Sequence, residues 1–120
     1  MKKIVVGGQM GKEEIEGDLH KLIHENRVQI EILSDLDAAM AVQNHQADYY
    51  VGACATGAGG ALAMVTAILG SEKAITVASP TKVMSLEEIK KEVDDGKIAF
   101  GFTFNAKNTV LPEIVEALKL

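Results

Sequence analysis

Five short apolar segments alternate along this chain with longer amphipathic ones, and this alternation constrains the fold more than any other feature. The apolar segments have the length and composition of β-strands, and each is followed by apolar residues at helical spacing. They lie at 3–7, 28–33, 48–53, 74–78 and 97–104. Because strands that alternate with helices are joined by right-handed crossovers, the pattern predicts an α/β fold: a three-layer, doubly wound, mostly parallel sheet of five βα units.

The predicted strand order is 2-1-3-4-5, the flavodoxin-like arrangement. The alternation of apolar and polar residues at 28–33 supports an edge position for the second strand. The helices are expected at about 12–25, from Ser34, at about 56–69, from a Ser-Leu-Glu-Glu capping box at 85–88, and at the end of the chain. Pro112 is expected in the first turn of that last helix.

Length and charge narrow the class of protein. The 120 residues suit one domain spanning 1–120, and the net charge of −5 argues against a nucleic-acid partner. A single cysteine cannot form an internal disulfide, which fits a reducing compartment. Neither the start of the chain nor the apolar run at 61–69 is long enough for a signal peptide or a membrane span. We therefore expect a cytoplasmic protein with no membrane insertion.

The segment 52–60 reads Gly-Ala-Cys-Ala-Thr-Gly-Ala-Gly-Gly and joins the third strand to its helix. Small residues let a ligand approach the backbone, and the N–H groups of a helix start favour an anion. The predicted ligand-binding residues of this segment are Thr56, Gly57, Gly59 and Gly60. The helix start would also lower the pKa of the Cys54 thiol, which makes Cys54 a candidate nucleophile or base. The alternative is a buried cysteine that only fills the core.

Topology brings a second set of candidates to the same edge of the sheet. Ligands of doubly wound sheets bind beyond the carboxyl ends of the strands, where the strand order reverses. For the predicted order this point lies between strands one and three, so the first loop faces the Cys54 segment. The ligand-binding residues predicted from the other loops are Gly7, Gly8, Gln9, Ser79, Thr81, Lys82 and Asn105. Thr103 is expected on the rim of the same site.

Other kinds of site are not predicted. The segment 7–12 lacks the length and the Ser or Thr of a phosphate-binding P-loop, because Glu13 stands where that hydroxyl is required. Glu16, His20 and His24 share one face of the first predicted helix, but no further ligands accompany them. We therefore expect neither a metal nor a cofactor.

The third predicted helix is apolar on nearly all sides. A surface helix carries a polar stripe, so both faces of this helix are expected to be covered. The sheet covers one face, and a second copy of the chain is the simplest cover for the other. We expect a homo-oligomer, most simply a two-fold dimer, formed through the helix at 57–69.

The whole chain resembles the YhfU-like family of uncharacterised bacterial proteins. The resemblance depends on the opening Lys-Lys-Ile, on the long motif at 47–59, and on Gly-Lys-Ile-Ala-Phe-Gly at 96–101. That family carries no established activity, so the resemblance implies a fold only.

Two loop resemblances bear on chemistry. The segment 54–59 is similar to the Cys-Gly-Thr-Gly-Ile-Gly loop of the ribose-5-phosphate isomerase B and galactose-6-phosphate isomerase family, which implies Cys54 as a proton-transferring base and donors from Thr56, Gly57 and Gly59. That family has Asp-His where this chain has Gln-Met at 9–10. The segment 53–57 also resembles the Ala-Cys-Pro-Thr-Gly loop of fructose-type phosphotransferase IIB domains, where the loop follows the first strand.

The sequence favours a cytoplasmic protein that binds a small anionic metabolite, such as a sugar phosphate, at the segment 54–60. Two alternatives stay open. One is a Cys54-dependent enzyme, isomerase-like or phosphotransferase IIB-like. The other is a non-catalytic accessory subunit of a transport or metabolic system.

Overall fold

A five-stranded sheet lies between two layers of helices in the part of the chain that the computed structural model describes, residues 2–24, 27–55 and 62–120. The strands are β1 (Lys2–Gly8), β2 (Val28–Ile32), β3 (Tyr49–Cys54), β4 (Ala74–Ala78) and β5 (Ala99–Thr103). The helices are α1 (Lys12–Leu22), α2 (Asp35–Gln43), α3 (Ala63–Leu69), α4 (Leu86–Asp94) and α5 (Lys107–Ala117). Neighbouring strands pair in parallel throughout, which confirms the predicted three-layer, doubly wound fold.

The strand order is β2-β1-β3-β5-β4, so the predicted order is wrong for the last two strands. The physical reason is the burial of β5. All five of its residues are buried, with small side chains on one face and Phe100 and Phe102 on the other. A strand covered on both faces belongs inside a sheet. In β4, Ile75 and Thr76 are only half-buried, and that strand forms the edge instead.

The two faces of the sheet carry different helices. Buried side chains of α1, α4 and α5 pack with Val6, Val51 and Phe100 on one face. Buried side chains of α2, together with Leu62 and α3, pack with Val5 and Tyr50 on the other face. With this strand order the crossovers all have the same hand, as expected for parallel strands, whose crossovers are right-handed.

Two of the predicted helix starts are confirmed in detail. The Ser34 hydroxyl accepts a hydrogen bond from the Asp37 amide at 3.1 Å, which caps α2. Ser85 and Glu88 form the reciprocal capping box of α4, with each side chain bonded to the backbone amide of the other. These local signals need only residues three positions apart, so they are readable from sequence.

Two other helix boundaries differ from the predictions. The helix α1 ends at Leu22, since Ile23 is extended, so it does not reach residue 25. The helix α5 already begins at Lys107, which puts Pro112 in its second turn and not in its first. Proline there leaves the carbonyl of Asn108 without its helical donor, and both residues lie on the exposed side, where water can replace it. The start predicted for the third helix, at 56, lies outside the described residues.

No helix among the described residues is both long enough and apolar enough to cross a bilayer.

Candidate functional site

The carboxyl end of β3 lies between two strands. The helices that follow those two strands pack on one face of the sheet, and the helix that follows β3 packs on the opposite face. The strands β1 and β5 lie on either side of β3, and α1 and α5 both pack on the face opposite to α3. In doubly wound sheets such divergence marks the position at which ligand-binding crevices form. The corrected strand order therefore keeps the predicted site between β1 and β3 and extends it to the end of β5.

A row of glycines crosses the sheet just below this edge. Gly7, Gly52 and Gly101 are in register on β1, β3 and β5, on the face covered by α2 and α3. A Cβ on Gly7 would lie 2.6 Å from Cε2 of the Tyr50 ring, and a Cβ on Gly101 would lie 2.5 Å from Cγ of Leu62. The glycines thus make room for these two side chains, and Leu62 packs closely against the small face of β5.

Tyr50 and Asp35 meet at the carboxyl end of the sheet. The Tyr50 hydroxyl donates a hydrogen bond to Asp35 Oδ1, and the same oxygen accepts the Gly8 amide at 3.2 Å. Burial, followed by the hydrogen bond to Asp35 and the charge of that carboxylate, holds the pKa of Tyr50 well above its usual range. The tyrosine therefore stays protonated and acts as a hydrogen-bond donor.

Neither member of this pair is predicted from the sequence. Tyr50 lies within an apolar strand, and Asp35 lies in the first turn of a helix, where acidic residues are common for reasons of the helix dipole. A tyrosine two residues before a glycine in a buried strand is the signal that could have drawn attention to its hydroxyl. Its hydrogen-bond acceptor, Asp35, lies 15 positions away in the sequence, so only the fold reveals the pair.

Cys54 and Thr103 lie side by side at the same edge. They are the last residues of β3 and β5, they are in register, and each is 2% exposed. Within the described residues, the Thr103 hydroxyl has no hydrogen-bond partner although it is buried. A buried polar group without a partner costs about 1–3 kcal/mol. The burial of Cys54 agrees with the core-filling alternative.

The loop after β1 uses its amide donors within the chain. The amides of Gln9 and Met10 both donate to the Ala53 carbonyl, at 2.9 and 3.3 Å, and the Gly8 amide is bonded to Asp35. These three donors are therefore not open to an anion. The predicted ligand contacts of Gly7, Gly8 and Gln9 stay predictions, and the exposed Gln9 side chain is the group best placed to make one.

The observed strand order separates three of the predicted ligand-binding residues from the end of β3. Ser79, Thr81 and Lys82 follow β4 at the edge, with β5 in between, and form a turn in which the Ser79 amide donates to the Lys82 carbonyl at 2.7 Å. Lys82 Nζ is also paired with Glu88 Oε2 at 3.1 Å. Asn105 follows β5 and is exposed next to the end of β3. The predicted contacts of Thr56, Gly57, Gly59 and Gly60 lie outside the described residues.

Lys107 is the buried cation at this end of the molecule. Its Nζ pairs with Asp18 and with Glu14 Oε2, the latter at 2.9 Å, and donates to Asn108 Oδ1 at 3.0 Å. The hydrogen bond to Asp18, and then that to Glu14, raises the pKa of Lys107 above its ordinary value. The positive charge is thus neutralised by α1 and is not directed at Cys54.

A groove of about 210 Å³ lies beside this cation, between α1 and α5 and not at the glycine-rich edge. It is lined by Asp18, Lys21, Leu22, Lys107, Asn108, Leu111 and Pro112. Across the described ranges no cluster of three or more metal-ligating side chains occurs. The end of α1 at Leu22 leaves His24 beyond the helix, so His20 and His24 do not share a helical face.

Comparison with known proteins places this chain among proteins of unknown function. Residues 2–118 match the family described as protein of unknown function DUF2620. The uncharacterized protein YhfU of Escherichia coli strain K12 is 37% identical over 119 residues, which cover 99% of this chain and all of that protein. The YhfU protein of Shigella flexneri matches to the same extent.

A solved structure shares the fold over almost the whole chain. The crystal structure of ribose-5-phosphate isomerase B from Giardia lamblia matches with a TM-score of 0.66 at 14% identity, covering 98% of this chain and 94% of that one. The predicted resemblances to YhfU and to ribose-5-phosphate isomerase B are both confirmed, the second at the level of the fold. The chain therefore belongs to the DUF2620 family of proteins of unknown function.

Proposed function

We propose that this protein binds a small anionic metabolite, such as a sugar phosphate, at the carboxyl end of β3. The observation that carries the proposal is the Thr103 hydroxyl, which is buried beside Cys54 without a hydrogen-bond partner among the described residues. Buried polar groups in proteins are nearly always bonded, so an exception at a crevice is a group that a polar ligand can satisfy.

The structural relative supports the choice of ligand class. That protein is named for its substrate, ribose 5-phosphate, and its fold matches 98% of this chain. The glycine-rich sequence at 54–60 has the composition that suits close approach of a phosphate group. The phosphate group of the ligand would then lie at that segment, and its sugar would lie toward β1 and β5. The protein that binds it would be cytoplasmic.

Isothermal titration calorimetry with ribose 5-phosphate and a panel of pentose and hexose phosphates tests the proposal. We expect saturable binding of at least one sugar phosphate, and weaker binding after Thr103→Val, which keeps the shape of the side chain. Ser79→Ala is the matched control, because Ser79 lies at the far edge, beyond β5, and should not affect binding. No saturable binding of any compound, or equal loss in both variants, would contradict the proposal.

We also propose that the outer surface of α2 and α3 joins two copies of the chain. Leu36, Met40 and Met64 are large apolar side chains exposed on these two adjacent helices. Exposed apolar side chains on two helices that are in contact favour association with a partner. This surface includes the helix predicted to mediate association and adds α2 to it.

Sedimentation velocity of matched variants tests the second proposal. We expect a dimer for the natural chain and a monomer for Met64→Glu, since a buried charge opposes association. Val83→Glu is the control, because Val83 is an exposed apolar residue that follows β4 and belongs to neither of these helices. A natural chain that sediments as a monomer, or a Met64→Glu chain that stays dimeric, would refute this interface.

A further inference from the structure

The site at the end of β3 contains a carboxylate whose charge is not paired. Asp35 receives two hydrogen bonds on Oδ1, from Tyr50 and Gly8, and forms no ion pair with any other residue in the described ranges. The side chain is half-buried, so it is still reachable from solvent. A carboxylate in this position repels a second anion and accepts hydrogen bonds from hydroxyl groups.

The position of Asp35 is complementary to that of Thr103. Asp35 is fixed to the end of β1 through Gly8, and Thr103 ends β5, with Cys54 on the strand between them. Adjacent strands are about 4.8 Å apart, so the two groups lie on the order of 10 Å apart across the edge. Asp35 offers a hydrogen-bond acceptor on one side of Cys54, and Thr103 offers a hydroxyl that can donate on the other side.

From this arrangement we infer that Asp35 and Thr103 form a subsite for the hydroxyl groups of the ligand. Tyr50 positions the carboxylate by donating to Oδ1. The ligand class is therefore a sugar or polyol with a single anionic group. Ligands with a second anionic group near Asp35 are rejected. The inference rests on the proposed function, since it assigns the hydroxyl-bearing part of the ligand proposed there.

The choice of variants separates binding from folding. Asp35→Asn keeps an oxygen that can accept from Tyr50 and Gly8 but removes the charge. Thr103→Val removes a hydroxyl that has no partner among the described residues, so the variant should unfold at the same temperature as the natural chain or higher. A lower unfolding temperature for Thr103→Val would show that the hydroxyl has a structural partner and would overturn the inference.

Calorimetric titration uses three probes: inorganic phosphate, ribose 5-phosphate and 3-phosphoglycerate, which carries a second anion. We expect ribose 5-phosphate to bind the natural chain at least about tenfold more tightly than phosphate does, the worth of one good hydrogen bond. Both variants should lose most of this preference while they retain the affinity for phosphate. Asp35→Asn should in addition bind 3-phosphoglycerate more tightly than the natural chain does.

The outcomes distinguish failure of the hydroxyl subsite from failure of the proposed function. If phosphate and ribose 5-phosphate bind the natural chain equally, the anion site stands and the hydroxyl subsite is refuted. If ribose 5-phosphate is preferred but both variants keep that preference, the subsite is elsewhere and the inference fails. If no probe binds, the proposed function fails together with the inference.

Discussion

At the scale of single residues, a tyrosine lying over glycines organises the site. The ring of Tyr50 has room because Gly7 and Gly52 have no side chains, and its hydroxyl reaches Asp35 at the end of the sheet. The carboxylate is held in turn by the Gly8 amide. The acceptor at the crevice is thus positioned by contacts made inside the fold, and each of these contacts can be removed singly.

Tyr50→Phe should destabilise the protein while it preserves the packing of the ring. The lost hydrogen bond is to a charged group, so we expect the free energy of unfolding to fall by about 1.5–3 kcal/mol. Tyr49→Phe is the control, because the Tyr49 ring lies half-buried on the opposite face of β3. Urea unfolding at neutral pH measures both, and an equal effect of the two variants would argue against the bond to Asp35.

The same variant should also change the alkaline pH dependence of stability. The folded chain raises the pKa of Tyr50 above the value of about 10 for an unfolded tyrosine, so the folded chain keeps a proton that the unfolded chain loses. Stability must then fall as the pH rises above about 10. The free energy of unfolding, measured from pH 8 to pH 11, should fall less steeply for Tyr50→Phe, and parallel curves would contradict the pKa assignment.

Two glycines should respond oppositely to alanine. A Cβ on Gly101 would lie 2.5 Å from Leu62 Cγ, so Gly101→Ala should cost about 1–3 kcal/mol through overpacking. A Cβ on Gly17, inside α1, meets nothing within 4 Å, so Gly17→Ala should add about 0.5–1 kcal/mol through helix propensity. Thermal unfolding of both variants checks this, and a stable Gly101→Ala protein would disprove the close packing of Leu62 on β5.

At the scale of elements, one buried lysine ties the last helix to the first. Lys107 opens α5 and bonds to Asp18 and Glu14 of α1, 89 and 93 positions away. Its side chain is 8% exposed, whereas those of its partners are more open. Because the charge is shielded from water, this pairing contributes more than an ordinary surface ion pair does.

Lys107→Met should therefore destabilise the protein, by about 1–2 kcal/mol, because two carboxylates lose their shared cation. Lys90→Met is the matched control, since Lys90 and Glu87 form an exposed pair at 3.9 Å within α4. We expect no measurable change there. Chemical denaturation at low and moderate salt measures both variants, and equal stability of the two would show that Lys107 adds nothing to the contact between α1 and α5.

Local signals predicted the elements better than they predicted the order of the strands. The caps at Ser34 and Ser85 depend on neighbours three residues away, and both are formed. The exchange of β4 and β5 could not be read from either strand alone, because both are short and apolar. It follows from the burial of both faces of β5, which depends on the helices that pack on each face.

At the scale of the whole molecule, the arrangement of the helices defines the crevice. The end of β3 lies between two strands whose helices pack on the opposite face, so the region around Cys54 is the natural position for a ligand in this fold. That much was predictable from the alternation of strands and helices. The contribution of Asp35 and the unbonded state of the Thr103 hydroxyl were not, since both depend on contacts between distant segments.

The most direct test of the central claim is the mapping of backbone amide chemical shifts while ribose 5-phosphate is added to the ¹⁵N-labelled protein. We expect saturable shifts for Gly8, Asp35, Cys54 and Thr103, which surround the end of β3. Inorganic phosphate should leave Asp35 and Thr103 less affected. Shifts confined to the groove beside Lys107, or no saturable shifts at all, would contradict the account.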